Sequence, residues 1–120
     1  MAIRINNRAA DAAAGPWGSV NLTAQRTRLA SAVEADEPGA RAAVREMYAK
    51  VDGFDAPSQD WHFPHHVLRG DMLVMHVAGC QAAVQRGSQM NDRAVMAHMA
   101  KHMQALVDAG RVQSSMMTEE

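Results

Sequence analysis

The sequence predicts a mainly α-helical domain of three to four helices, with one short β-hairpin as its only strand structure. Apolar side chains recur at helical spacing over residues 22–34, 39–51 and 92–109. Residues 66–77 form two apolar stretches around a Gly-Asp pair, which is typical of a tight hairpin turn. The chain has 120 residues, enough for a single hydrophobic core.

The first half of the chain predicts an arm and two helices. Residues 1–16 are rich in Ala, Asn and Arg and end in a Gly-Pro pair, so we expect a flexible N-terminal arm. Residues 22–34 carry an apolar stripe at helical spacing, and Asn21 or Thr23 can cap the N-terminus of the helix that this stripe predicts. Residues 39–51 repeat the helical pattern after an acidic, Pro-containing turn that suits a helix N-terminus.

The middle of the chain contains a loop and a segment with two interpretations. Residues 53–64 include Gly, Ser, two Pro and two Asp, which predicts a loop whose aromatic rings pack on the core. Residues 66–77 fit a hairpin. The alternative interpretation is a single helix from Asp71 through Cys80. The helix would place Gly79 in its interior, so the hairpin is favoured, packed on helices because an isolated hairpin is marginal.

Two further helices complete the predicted domain. One spans residues 79–86, and the clearest, residues 92–109, follows Asn91 as its N-cap. We therefore expect a single domain over residues 17–110 and a polar, flexible tail over residues 111–120.

Charge and composition exclude several classes of protein. The chain has 12 Lys and Arg against 13 Asp and Glu, a formal net charge of −1, which argues against specific nucleic-acid binding. No apolar run approaches the roughly 18 residues of a membrane span, and the polar N-terminal residues do not resemble a signal peptide. Cys80, the single cysteine, cannot form an internal disulfide and fits a reducing compartment, so we expect a cytoplasmic protein.

The histidines are the candidate site. All six lie at or after His62, and two of them, His98 and His102, fall one turn apart beside the apolar stripe of the last helix. An inward-facing pair at this spacing is half of a familiar metal-ligand arrangement, and neutral imidazoles suit Zn²⁺, Cu²⁺ or Ni²⁺. The candidates for the other ligands are one of His65 and His66, and one of His62, His76 and Cys80.

Two interpretations of this cluster stay open. In the first, the histidines form buried hydrogen bonds to loop carbonyls and no metal is involved, since the spacing lacks the CxxC or HExxH context of strong zinc signatures. In the second, Zn²⁺ binds. Adjacent side chains of an extended segment point to opposite faces, so His65 and His66 are not expected to reach one ion together. Cys80 lies in an Ala- and Val-rich stretch that is typical of an inert buried thiol, and no residue is assigned a catalytic role.

A longer pattern surrounds the histidines. It consists of W-H-F-P-H-H at residues 61–66, the small residues Gly70, Gly79, Ala82 and Ala83, and H-M-A-K-H at residues 98–102. This pattern resembles a small module of tailed-bacteriophage proteins from head-morphogenesis gene clusters, where it often follows a prohead-protease or related capsid-assembly region. The similarity spans roughly residues 16–107. The chain departs from the module at Met99, where Leu is more usual, and at Val67, where an acid is common.

The resemblance implies a phage- or prophage-encoded accessory protein and no reaction. We therefore expect a non-enzymatic assembly or interaction module, stabilised by a metal ion, in the infected or lysogenic cell or on the virion. Its partners would be phage capsid or assembly proteins, or a second copy of the chain. The alternative is a small metal-dependent enzyme or metal-responsive regulator that uses the histidine cluster. An open coordination position beside an acid would favour the alternative, and a closed site the first.

Overall fold

The computed structural model describes residues 2–113 of the chain. Within this part, helices and strands alternate in a mixed α/β fold. In chain order the elements are β1 (Arg4–Asn6), α1 (Leu22–Glu34), α2 (Ala40–Met47), β2 (Tyr48–Val51), α3 (Pro57–Asp60), β3 (Trp61–Pro64), β4 (His66–Arg69), β5 (Met72–Met75), α4 (Val77–Gln89) and α5 (Arg93–Asp108), with short 3₁₀ turns at Ala9–Asp11 and Trp17–Ser19.

The prediction of a mainly α-helical domain with one hairpin is wrong, because the described residues form two sheets. One sheet has three strands in the order β1-β5-β4, and the other pairs β2 with β3. The predicted hairpin is confirmed as the antiparallel β4–β5 pair, and Gly70 adopts the positive φ of 59° at its turn. β1 adds to β5 in parallel, with Arg4 opposite Met72.

The other strands lie where the sequence indicated other structures. β1 lies in the predicted arm, β2 continues α2 within the helix predicted over 39–51, and β3 lies in the loop predicted over 53–64. Each has only three or four residues, too few for a periodic pattern, and each depends on a partner distant in the chain. Mobility of residues 1–16 stays a prediction, and residues 114–120 of the predicted tail lie outside the described residues.

The predicted helices at the two ends of the domain are confirmed, with one change of cap. Asn21 Oδ1 accepts a hydrogen bond from the Ala24 amide at 3.0 Å, so it is the N-cap of α1. At α5 the cap is Asp92 rather than Asn91, since Asp92 Oδ1 accepts from the Val95 amide at 3.1 Å. Local capping therefore sets both N-termini.

α4 is longer than predicted at both ends. The sequence placed its start at Gly79, but His76 Nδ1 accepts from the Gly79 amide at 3.1 Å and caps the helix, which begins two residues earlier at Val77. Gly87 lies inside α4 rather than ending it. A Cβ atom at Gly87 would lie 2.7 Å from Val95 Cγ1, so the missing side chain lets α5 pack closely against α4.

Two large hydrophobic clusters and a third, smaller one form the core of the described residues, and the backbone of His65 hydrogen-bonds to Met47 of the first and Cys80 of the second. The first cluster joins α1, α2 and Trp61, and the second joins α4 and α5. His65 N–H donates to Met47 O at 3.0 Å, and His65 O accepts from the His76 amide at 3.0 Å. The aromatic rings of the predicted loop pack on the core, as expected: Trp61 belongs to the first cluster, and Phe63 packs against the second. Among the described helices, none combines the length and apolar character needed to cross a membrane.

Candidate metal centre

Four histidines from three parts of the fold meet between the clusters. His65 follows β3, His66 begins β4, and His98 and His102 lie one turn apart on α5. The ring centroid of His65 lies 5.0 Å from that of His98 and 5.1 Å from that of His102, and the His66 ring lies 5.0 Å from His102. The expected meeting of His98 and His102 with the 61–66 segment is confirmed. His102 is buried and His98 is half-buried.

The backbone before His65 orients its ring. Phe63 has a φ of 61°, a left-handed conformation that an aromatic residue before proline rarely adopts. The Phe63 carbonyl accepts a hydrogen bond from His65 Nδ1 at 2.9 Å. Because a carbonyl only accepts, Nδ1 carries the proton and Nε2 keeps its lone pair. Metal-ligating histidines are typically held in this way, by a hydrogen bond from the nitrogen that does not bind the ion.

The free lone pair of His65 faces a second imidazole. His65 Nε2 and His98 Nε2 lie 3.2 Å apart, and His98 Nε2 also lies 3.3 Å from the Glu46 carbonyl oxygen. In a tetrahedral zinc site, with Zn–N bonds of about 2.0–2.1 Å, two ligand nitrogens are about 3.3–3.4 Å apart. Donor atoms of His65, His98 and His102 all lie within 4.8 Å of one another. Without an ion, a proton on His98 Nε2 would be donated either to the lone pair of His65 Nε2 or to the Glu46 carbonyl oxygen.

A second group of donors shares His102. Donor atoms of Glu46, His66 and His102 lie within 4.8 Å of one another, and His102 Nε2 is 3.5 Å from Glu46 Oε1. Asn7 connects the other two, because its Oδ1 accepts from His66 Nε2 at 2.8 Å and its Nδ2 donates to Glu46 Oε1. His65 and His66 therefore fall into different groups, as their opposite directions along an extended segment predicted.

His66 retains an unused lone pair. Its side chain is fully buried, and Nδ1 is the single buried side-chain nitrogen or oxygen in residues 2–113 that has no hydrogen-bond partner. Leaving such an atom unpaired costs about 1–3 kcal/mol. The nitrogen is thus available to an additional ligand.

Burial keeps three of the four histidines uncharged. Desolvation lowers the pKa of His65 from 6.5 to about 3, and it lowers the pKa of His66 still further, with the neighbouring imidazoles adding to the effect. The pKa of His102 is lowered by burial, while the Glu46 carboxylate acts in the opposite direction. These three imidazoles are neutral at pH 7, and the neutral form is the one that binds metal ions.

The other three candidate ligands lie elsewhere. His62 is half-buried, and its Nε2 lies 3.5 Å from Asp52 Oδ2. His76 caps α4 and its ring lies 4.8 Å from that of Trp17. Cys80 donates its thiol proton to the His65 carbonyl at 3.6 Å, and burial raises its pKa to about 12. The structure groups none of them with the donor atoms of the cluster.

Sequence reasoning missed Glu46 and Asn7. Glu46 lies on a predicted helix, where a single acid is usually a solvated surface residue. Asn7 lies in the predicted arm, 59 residues before its partner His66. Local patterns carry no signal for contacts at this separation, so only the tertiary structure identifies the two residues.

Comparisons with known proteins found no match. No protein-family model and no curated protein matches the sequence, and no solved structure matches the fold. The chemistry of the cluster is therefore inferred from its own geometry.

Proposed function

We propose that the protein binds one Zn²⁺ ion through His65, His98 and His102, and that it is a metal-stabilised, non-enzymatic interaction module. The observation that carries the proposal is the 3.2 Å separation of His65 Nε2 and His98 Nε2, with the lone pair of His65 directed by the Phe63 carbonyl. A tetrahedral ion requires ligand nitrogens at about this separation.

The donor set favours zinc. Neutral imidazoles together with one carboxylate suit Zn²⁺, which accepts tetrahedral geometry without electronic preference. Glu46 and His66 form a second donor group that shares His102, so a fourth protein ligand would come from that group, after it moves towards His65 and His98. Zinc sites closed by four protein ligands are structural rather than catalytic.

A bound ion would connect helices and strands that lie far apart in the sequence. His65 joins β3 to β4, His98 and His102 belong to α5, and Glu46 belongs to α2. Because these elements carry both large hydrophobic clusters, the free energy of metal binding would add to the stability of the folded domain. Stabilisation by a metal ion matters most in a small domain, because its hydrophobic core buries little surface.

The wider role that we propose is a phage- or prophage-encoded assembly module with a protein partner. Its support is the pattern over residues 61–66 and 98–102, because four of the five histidines of that pattern converge in the structure, His62 being the exception. A phage capsid or assembly protein, or a second copy of the chain, is the partner class that the resemblance implies.

One observation favours the alternative of a small metal-dependent enzyme. The Glu46 side chain is 27% exposed and lies beside His102, where an acid could accept a proton from a metal-bound water. Spectra of the Co²⁺-substituted protein distinguish the two roles. A four-ligand protein site keeps its spectrum when azide is added, whereas a site with a bound water changes.

Thermal unfolding of untagged protein tests the structural role. We expect a strong chelator to lower the Tm of the wild type to that of H98A, and to leave H98A unchanged. H62A is the matched control, since His62 lies outside both donor groups of the cluster, and it should respond to chelator as the wild type does. A wild-type Tm that chelator and added zinc both leave unchanged would overturn the proposal.

A further inference from the structure

A cleft of about 460 Å³ lies between β2, β3 and α4. Its volume falls within the roughly 300–1,000 Å³ of small-molecule sites. None of the four clustered histidines lines it, so it is separate from the candidate metal centre.

Two indole rings line the cleft in fixed positions. Trp17 packs over Gly79, where a Cβ atom would lie 2.7 Å from the ring, and its centroid is 4.8 Å from that of His76. Trp61 Nε1–H donates to Gly53 O at 2.8 Å. Both rings are therefore held by the protein before any ligand binds, which lowers the entropy lost on binding. Ala82 and Ala83 of α4 contribute small side chains to the lining.

The charged side chains that line the cleft are all basic. Lys50 Nζ lies 3.9 Å from an Asp92 carboxylate oxygen, and His62 pairs with Asp52. Arg86 is exposed and forms no ion pair with any residue in the described range 2–113. A guanidinium matches the planar geometry of a carboxylate and can bind both of its oxygens.

We propose that the cleft binds a small planar aromatic carboxylate. Its ring packs against the half-buried rings of Trp17 and Phe63, while Trp61, which is only 4% exposed, contributes to the wall of the cleft. Its carboxylate pairs with Arg86. Stacking accounts for the aromatic lining, and the unpaired guanidinium accounts for the preference for an anion. The proposal does not depend on metal binding, because no donor atom of the histidine cluster takes part.

An NMR titration with 2-naphthoate tests the site, with 2-naphthamide as the neutral probe of the same shape. The chain has two tryptophans and both line the cleft, so both indole N–H signals should shift as 2-naphthoate binds. We expect a Kd for the amide about tenfold higher, the factor typical of one charge-assisted contact.

Two arginine variants test whether the guanidinium of Arg86 binds the carboxylate. R86Q should weaken 2-naphthoate binding about tenfold and leave 2-naphthamide binding unchanged. R93Q is the matched control, since Arg93 is also exposed but lies on α5 outside the cleft, and it should bind as the wild type does. Indole signals that do not shift at millimolar 2-naphthoate, equal affinity for the two probes, or an R86Q that binds normally would each overturn the proposal.

Discussion

His65 Nε2 and His98 Nε2 lie 3.2 Å apart, although 33 residues separate them in the chain. His65 cannot be protonated on both nitrogens at neutral pH, because burial lowers its pKa to about 3 and Nδ1 already donates to the Phe63 carbonyl. Its Nε2 lone pair is therefore directed at His98. Either a proton on His98 or a metal ion can occupy the space between the two lone pairs, and the predictions below separate these states.

Asn7 should tune metal affinity without binding the ion. It holds His66 and Glu46 in place through its side-chain amide. We expect N7A to weaken zinc binding about 10–100-fold, the usual effect of losing a group that orients metal ligands. Competition titration with a chromophoric chelator measures this.

N6A is the matched control for N7A. Asn6 contacts Asp11 and the Arg8 amide instead of the histidine cluster. Equal zinc affinity of the two variants would show that Asn7 does not orient the ligands.

Acid should destabilise the metal-free protein as its buried histidines gain protons. The folded-state pKa of His65 lies below its usual value of 6.5. Between these values the unfolded chain binds more protons, so the stability is fully present above about pH 6.5 and is lost as the pH falls towards 3. In the presence of chelator, the urea midpoint should be lower at about pH 5 than at about pH 7.5. An unchanged midpoint would contradict the burial of neutral imidazoles.

Gly79 should be sensitive to a single added methyl group. A Cβ atom at Gly79 would meet the Trp17 ring at 2.7 Å, so G79A should reduce the free energy of unfolding by roughly 1–3 kcal/mol despite the better helix propensity of Ala. G18A is the control, since a Cβ at Gly18 has no neighbour within 4 Å. Denaturant unfolding compares them, and a G79A protein as stable as G18A would mean that Trp17 does not pack over α4.

The N-terminal segment can be tested by amide exchange. The sequence predicts a mobile arm, whereas the amides of Ile3 and Arg4 donate to Pro38 O and Asp71 O, each at 2.8 Å. We expect these two amides to exchange more slowly than that of Ala2, which is exposed. Equal, unprotected rates for all three would show that β1 forms only transiently.

The parts of the fold that the sequence predicted are those governed by local chemistry. The apolar period and the Asn21 cap define α1, and the glycine turn at Gly70 defines the β4–β5 hairpin. The parts it missed depend on pairing across the chain. The strand Tyr48–Val51 follows helical residues without a break, and only its pairing with Trp61–Pro64 makes it extended.

Part of the candidate site was also predictable from the sequence. Helical geometry placed His98 and His102 on one face, and the alternation of an extended segment separated His65 from His66. Glu46 and the role of Phe63 were not predictable. Glu46 reaches the cluster through packing of α2, and a left-handed backbone at a residue before proline runs against its local preference.

Native mass spectrometry of untagged protein, after zinc loading and removal of excess metal, counts the zinc ions that each chain holds. We expect one Zn²⁺ per chain in the wild type and in H62A, and none in H98A, with all three in the compact charge-state distribution of a folded domain. A wild-type chain without zinc, or an H98A chain that keeps one equivalent, would contradict the proposed zinc site.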